Sequence, residues 1–223
     1  MAVNDAWTFP ARLVVVADRD YIGDDARWLA LIEAIGTAAA GMPVAIQVRA
    51  KGITPVEAAD LATRARAVVP ANVLLLLNGD AALAARLGYA GAHWPEHDIP
   101  AARPALALAY YSAAAHSAEA AARAERGGAD VVLFGAVYAP GSHPGEGAGV
   151  EALRAAVQAT ALPVIALGGI LPQHVAECMA TGAFGVAAVS GVLGAPDVHA
   201  AIEAYLGAID ETINTSRTQG AVR

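Results

Sequence analysis

Short apolar runs recur along this chain every ~20 to 30 residues, and this repeat constrains the fold more than any other feature. Several runs, such as LVVVA at 13–17 and VLLLL at 73–77, are apolar at every position. Continuous apolar runs of this length are typical of parallel strands that are buried on both faces. The predicted strands are residues 12–17, 43–48, 73–77, 91–94, 106–110, 131–135, 164–167 and 186–189.

The segments between these strands carry helix start and stop signals. One segment opens with Thr54 as an N-cap, Pro55 at the first helical position and Glu57 two residues later, which is the pattern of a capping box. Another opens at Ser117 and stops at the glycine pair 127–128. Strands and helices are therefore predicted to alternate along the chain.

Eight strands alternating with about eight helices indicate an α/β fold, a single-domain (β/α)8 TIM barrel. A doubly wound open sheet is the alternative, but the segment after the first strand, DRDYIGDD, lacks the glycine-rich dinucleotide fingerprint. We expect an N-terminal extension at 1–10, the barrel at 11–210 and a polar, frayed C-terminal tail at 211–223.

Composition and charge argue against several classes of protein. The hydrophobic fraction is 57%, but each apolar run is far shorter than the ~20 residues of a membrane helix, so we expect no membrane partner. No positively charged segment precedes an apolar stretch near the first residue, and Cys178 is the single cysteine, which together favour the cytoplasm. A formal net charge of −7 argues against nucleic acid as a partner.

Small residues follow the last two predicted strands. Gly168 and Gly169 follow strand seven, while Ser190 and Gly191 follow strand eight. In barrels of this kind the loops after these two strands often hold a phosphate, and glycine lets backbone N–H groups approach an anion closely. Tight strand-to-helix turns are the alternative explanation. The predicted phosphate-binding residues are Gly168, Gly169, Ile170, Val189, Ser190 and Gly191.

The motif QVRAKG at 47–52 places three polar side chains at the end of strand two. Gln47, Arg49 and Lys51 alternate, so all three point to the same face of the strand. Polar side chains on a buried strand are costly unless they line a site, and arginine and lysine suit phosphate or carboxylate groups. We therefore predict that they bind substrate, with a charged strand end leading into solvent as the alternative.

Taken together, these motifs resemble those of the thiamine phosphate synthase and thiazole tautomerase superfamily. The resemblance rests on the segment at 163–191, on QVRAKG and on VVLFGAVYAP at 131–140. It implies a (β/α)8 barrel that binds a small phosphorylated thiazole at the two glycine turns and that forms homo-oligomers. It also adds Asn78, at the end of strand three, and His143 to the predicted substrate-binding residues.

The two branches of this superfamily differ in chemistry. The synthase joins an aminopyrimidine pyrophosphate to a thiazole phosphate with magnesium, whereas the tautomerase moves a proton on a thiazole carboxylate phosphate without a metal. Gly79, Ala114 and His143 stand where the resemblance implies a metal ligand, a serine and a lysine of the synthase. These departures favour the tautomerase branch and no cofactor. If the chain is a synthase, magnesium would be bound through Asp98 and Asp80.

His116 is the predicted catalytic residue. It follows strand five and precedes the Ser117 N-cap, and the tautomerase resemblance makes it the proton-transfer group. A histidine with a pKa of about 6.5 suits a general acid/base at neutral pH. A hydrogen bond to the start of the helix is its alternative role. A zinc site at His93 and His97 is not expected, because His93 belongs to a strand and Pro95 interrupts the helical spacing.

We therefore predict an enzyme of thiamine biosynthesis, a metal-independent thiazole tautomerase. A magnesium-dependent thiamine phosphate synthase and a non-catalytic barrel that binds a thiazole or thiamine phosphate are the two alternatives.

Overall fold

Eight parallel strands form the centre of the computed structural model, which describes residues 9–139 and 146–220. The strands pair in chain order from β1 to β8, and pairing of β8 with β1 closes the sheet. The strands are β1 Leu13–Asp18, β2 Val44–Arg49, β3 Leu74–Asn78, β4 Gly91–Trp94, β5 Tyr110–Ala115, β6 Val131–Gly135, β7 Val164–Leu167 and β8 Gly185–Ala188. This confirms the predicted (β/α)8 barrel.

Helices separate the strands and pack around the barrel. In the described part of the chain they are α1 Arg19–Ile22, α2 Asp25–Ala39, α3 Pro55–Val68, α4 Ala81–Arg86, α5 Ala118–Arg126, α6 Gly149–Gln158, α7 Val175–Ala180, α8 Ser190–Leu193 and α9 Val198–Gly220. Short 3₁₀ turns lie at Glu96–Asp98 and Pro172–His174. The predicted cap of α3 is present, because Thr54 Oγ1 accepts from Glu57 N and the Glu57 carboxylate accepts from Thr54 N.

The fifth strand is the one strand whose predicted place was wrong. The apolar segment 106–110 is mostly outside the sheet, and the observed β5, Tyr110–Ala115, has the sequence YYSAAA. Its small residues give a weak strand signal, but pairing with both β4 and β6 places them in the sheet. Tyr111 stacks on Trp94 of β4 with ring centroids 4.5 Å apart, which fixes the strand by a contact between elements.

The last helix extends into the segment predicted as the C-terminal tail. Residues 211–220, predicted as part of a polar and frayed tail, continue α9 as far as Gly220. Ile209 is buried and Ile213 packs against the same core, so the apolar face of α9 holds the helix beyond residue 210. Within the described residues, none of the helices combines the length and the apolar character needed to cross a membrane.

Side chains alternate between two apolar layers along each strand. In β1, Leu13 and Val15 belong to the large core between strands and helices, whereas Val14 and Val16 belong to a smaller core inside the barrel. The next inward position after Val16 is Asp18, at the C-terminal end of the strand. The polar residues at these strand ends therefore point into the mouth of the barrel.

Candidate functional site

A cavity of about 400 Å³ opens at this mouth, where the C-terminal ends of the strands meet. Its polar side chains come from inward positions at strand ends and from the loops that follow. They are Asp18, Gln47, Arg49, Lys51, Asn78, His93, Glu96, His97 and His116. The structure thus brings together most of the predicted substrate-binding residues and the predicted catalytic histidine.

Asp18 and Arg49 form an ion pair in the lining of the cavity. The two residues are paired in register between β1 and β2, and Arg49 Nη1 donates to Asp18 Oδ2. The Asp18 side chain is 3% exposed and that of Arg49 is 20% exposed. Sequence reasoning missed Asp18, although a polar residue directly after the apolar run LVVVA was the available signal. The charge of Arg49 is therefore compensated before any ligand enters.

Three further polar side chains line the same region. Asn78 Nδ2 donates to Gln47 Oε1 at 3.2 Å, which links the ends of β3 and β2. Lys51 is exposed and contributes to the cavity from the loop after β2. These residues stand together as the sequence predicted, and their role in binding substrate stays a prediction. His143, the remaining predicted substrate-binding residue, lies outside the described residues.

His93 is a buried imidazole in the wall of the cavity. It is 5% exposed, and its Nδ1 lies 2.9 Å from Ser112 Oγ of the neighbouring strand. Burial lowers the pKa of His93 to about 3, with smaller contributions from the positive charges of Lys51 and Arg49. His93 is therefore a neutral hydrogen-bonding group at physiological pH, a role that sequence reasoning did not assign.

His116 is held by a carboxylate from the loop after β4. The ring Nδ1 of His116 lies 2.7 Å from Glu96 Oε2, and the backbone N–H of His116 donates to the same oxygen at 2.8 Å. Arg123 of α5 donates to Glu96 Oε1 at 3.2 Å. Ser117, not His116, caps α5, so the alternative in which His116 bonds the helix start is not what the structure contains.

Ionisation of Glu96 follows from the same contacts. Burial alone would raise the pKa of this carboxyl, but the hydrogen bonds from His116 and Arg123 together outweigh burial and hold the pKa below its ordinary value. Glu96 is therefore a carboxylate at neutral pH. Sequence reasoning missed it, because the segment HWPEHD after strand four suggested metal ligands rather than a partner of His116.

The two turns predicted to bind phosphate lie beside the cavity. Gly168 and Val189 line it, whereas the other four predicted residues adjoin these two without being part of its wall. Ser190 and Gly191 form the first turn of α8, where backbone N–H groups have no acceptor within the helix. In the portion of the chain that is described, Gly169 N and Ile170 N donate to no backbone carbonyl. Binding of an anion by these N–H groups stays a prediction.

Packing also requires these glycines. Gly168 and Gly169 have positive φ values of 101° and 63°, and a Cβ at Gly169 would lie 2.4 Å from Ala139 O. A Cβ at Gly191 would lie 2.1 Å from the hydroxyl of Tyr205. The glycines are thus explained by the turns themselves, and a substitution at Gly169 would disturb the fold as well as any phosphate site.

The carboxylates considered as magnesium ligands lie away from the cavity wall. Asp80 Oδ1 accepts from Leu83 N at 2.8 Å as the N-cap of α4, and Asp98 is exposed, with its Oδ2 3.5 Å from His97 Nε2. Gly79, between Asn78 and Asp80, has a φ of 90°. Among the described residues, no three histidine, cysteine, aspartate or glutamate side chains are grouped so that they could hold a metal ion.

Similarity to known proteins places the chain in a family. The bifunctional thiamine biosynthesis protein ThiM/ThiE of Symbiobacterium thermophilum is 39% identical over 140 residues, which are 60% of this chain and 29% of that longer protein. The thiamine-phosphate synthase of Moorella thermoacetica is 34% identical over 176 residues, 76% of this chain and 84% of the relative. The structure of a thiamine phosphate pyrophosphorylase from Pyrococcus furiosus, 27% identical, superposes with a TM-score of 0.73 over 92% of this chain and 98% of that one.

The Moorella relative carries the name of the synthase, the alternative to the predicted tautomerase, and none of the three relatives supports the tautomerase branch specifically. The superfamily itself is confirmed, because the family model described as thiamine monophosphate synthase matches residues 13–192. The chain therefore belongs to the thiamine monophosphate synthase (TMP-TENI) family.

Proposed function

We propose that this chain is an enzyme of thiamine biosynthesis that binds a thiazole phosphate in the barrel mouth and transfers a proton on it, as a thiazole tautomerase does. The proposal rests on the position of His116 and on its hydrogen bond to Glu96. Its imidazole lines the cavity, and one ring nitrogen is held by Glu96 while the other remains available for a proton. A positioned histidine of this kind is a general acid/base that needs no metal.

Charge in the cavity supports a substrate with one phosphate. Arg49 is paired with Asp18, and Glu96 is paired with Arg123 of α5. Among the described residues that line the cavity, Lys51 is the cation that forms no ion pair with a carboxylate. A single phosphate with a carboxylate places less negative charge there than a pyrophosphate and a phosphate together.

In this proposal each group of the substrate has its own contacts. The backbone N–H groups of Gly169, Ile170, Ser190 and Gly191 bind the phosphate, beside Gly168 and Val189. Arg49 or Lys51 holds the carboxylate of the thiazole, while Gln47, Asn78 and His143 contact the ring or its substituents. His116 then removes a proton from one position of the thiazole and delivers one to another, which yields the aromatic tautomer.

A thiamine-phosphate synthase is the second candidate, because the names of relatives at 34% identity favour it. Its magnesium ion would coordinate a pyrophosphate and offset its charge. Asp80 and Asp98 are the carboxylates available for that ion, but neither lines the cavity and each already has another partner. Because neither carboxylate lines the cavity, we favour the tautomerase over the synthase.

The two candidates are separated by assaying both reactions on the purified chain, with added magnesium and with EDTA. We expect conversion of a thiazole carboxylate phosphate to its aromatic tautomer at the same rate in both conditions, and no release of pyrophosphate. Pyrophosphate release that EDTA abolishes would establish the synthase instead. Tight binding of a thiazole phosphate without either turnover would establish a binding barrel.

Replacement of His116 tests its place in the reaction. His116→Asn should lower the turnover number by roughly 10²- to 10⁴-fold, since a positioned general acid/base contributes about that much. Affinity for the phosphorylated product should stay nearly constant, because the phosphate contacts are elsewhere. His199→Asn, on the exposed face of α9, is the matched control and should leave both quantities unchanged. Full activity in His116→Asn would assign proton transfer to another residue.

A further inference from the structure

The pair formed by Glu96 and His116 joins two loops at the cavity mouth. Glu96 lies in the 3₁₀ turn after β4, and His116 is the first residue after β5. One carboxylate oxygen contacts both the backbone N–H and the ring Nδ1 of His116, at 2.8 and 2.7 Å. The other oxygen accepts from Arg123 Nη2 at 3.2 Å, and Arg123 Nη2 also donates to the Glu96 carbonyl at 3.2 Å. The carboxylate is thus fixed from three directions.

An ionised carboxylate can only accept hydrogen bonds. At a separation of 2.7 Å, the proton between Glu96 Oε2 and His116 Nδ1 must therefore belong to the imidazole. A neutral imidazole carries one proton, so Nε2 is left without one and can act as a base. The same carboxylate would stabilise the imidazolium once Nε2 has taken a proton.

We propose that Glu96 is a positioning residue that holds neutral His116 in the Nδ1–H tautomer and so makes Nε2 the atom that accepts the substrate proton. The expected effect on kinetics rests on the proposed tautomerase function, whereas the tautomer of the His116 ring is a property of the free protein. In the reaction a bond between the thiazole and a hydrogen atom breaks. The electron pair of that bond enters the thiazole, and the proton goes to Nε2. The imidazolium then returns a proton to a different atom of the thiazole, so neither oxidant nor metal is required.

The tautomer can be measured directly by NMR on the full chain labelled with ¹⁵N-histidine. The chain has six histidines, and a spectrum of His116→Asn assigns the signals of His116. At a pH where the ring is neutral, we expect a protonated Nδ1 and an unprotonated Nε2. Glu96→Ala should shift this population towards Nε2–H, whereas Glu96→Gln should retain Nδ1–H because the amide oxygen also accepts a hydrogen bond.

Kinetics with a thiazole carboxylate phosphate provide the second measurement. Glu96→Ala should lower kcat at least tenfold with little change in KM, and Glu96→Gln should restore most of the loss. Glu119 is an exposed carboxylate on the first turn of α5. Glu119→Gln is the control for the loss of one negative charge and should match the parent.

The outcomes separate this inference from the proposed function. An Nε2–H tautomer in the parent, or an unchanged Nδ1–H tautomer in Glu96→Ala, overturns the role of Glu96. If Glu96 controls the tautomer but the parent has no tautomerase turnover, the proposed function fails and the positioning role stands. Equal loss of kcat in Glu96→Ala and Glu96→Gln would contradict positioning by a hydrogen bond.

Discussion

At the scale of single residues, two of the basic groups at the site already have acidic partners. Asp18 compensates Arg49, and Glu96 compensates Arg123 while it holds His116. A buried charge is tolerated only when it is paired, so each pair fixes which cations remain available to a ligand. This pairing, more than the number of basic residues, determines how much negative charge a substrate can bring into the cavity.

His93 should make the unfolding free energy of the protein sensitive to acid. The unfolded chain protonates this histidine below its ordinary pKa of about 6.5, whereas burial lowers the pKa in the folded state to about 3. The unfolded state therefore binds more protons between these values, and stability falls as the pH drops through this window. At pH ~4.5 we expect a loss of roughly 2–3 kcal/mol from this group.

Urea unfolding of the parent and of His93→Gln at pH ~7 and pH ~4.5 measures this effect. The decrease in the free energy of unfolding between the two pH values should be smaller in the variant. His199→Gln, which removes an exposed histidine, should follow the parent. Equal pH dependence of the parent and His93→Gln would show that His93 is protonated in the folded state.

At the scale of elements, the last helix supports the turns that we propose bind phosphate. Tyr205 of α9 is fully buried, and its hydroxyl donates to Ile170 O at 2.7 Å. The same hydroxyl occupies the space that a side chain at Gly191 would need. One residue of α9 therefore fixes the turn after β7 and the start of α8 relative to each other.

A double-mutant cycle tests this contact. Tyr205→Phe should cost about 1–2 kcal/mol of unfolding free energy, because it leaves a buried carbonyl without its donor. Gly191→Ala should cost more in the parent than in the Tyr205→Phe background, where the overlapping oxygen is gone. We expect a coupling of at least ~1 kcal/mol, measured by denaturant unfolding of the four proteins. Strictly additive effects would mean that the two residues do not share this space.

At the scale of the whole molecule, the barrel depends on how closely β8 approaches β1. Val186 N donates to Arg12 O at 2.9 Å, and a Cβ at Gly185 would lie 2.0 Å from the same oxygen. Nearby, the guanidinium of Arg12 lies 4.2 Å from the centre of the Phe184 ring and donates to Phe184 O. The sheet is thus closed by a backbone contact that leaves no room for a side chain at Gly185.

Gly185→Ala should therefore destabilise the protein by more than ~3 kcal/mol, since the overlap is with backbone rather than with a flexible side chain. Gly207→Ala is the matched control, because Gly207 lies in α9 and a Cβ at this position would meet no atom within 4 Å. That control should stabilise the protein by about 0.5–1 kcal/mol through helix propensity. Thermal unfolding of both variants gives the comparison, and a mild effect of Gly185→Ala would contradict tight closure at this strand pair.

The sequence by itself determined the alternation of strands and helices, because hydrophobic periodicity is a local property that each segment carries alone. It also identified Gln47 and Arg49, since polar residues at the end of a buried strand are visible without knowledge of neighbours, whereas Asn78 was found through the family resemblance. The phosphate-binding role of the glycine turns remains a prediction, because the same glycines are required by packing.

Only the tertiary structure decided which of these groups act on one another. Asp18 lies 31 residues from Arg49, and the two meet because β1 and β2 align in register. Glu96 lies 20 residues from His116, and the two meet because the segments after the paired strands β4 and β5 lie side by side. The same holds for β5, whose weak local signal is overridden by pairing with β4 and β6. Contacts between distant segments depend on register and closure, and no single segment of the sequence contains that information.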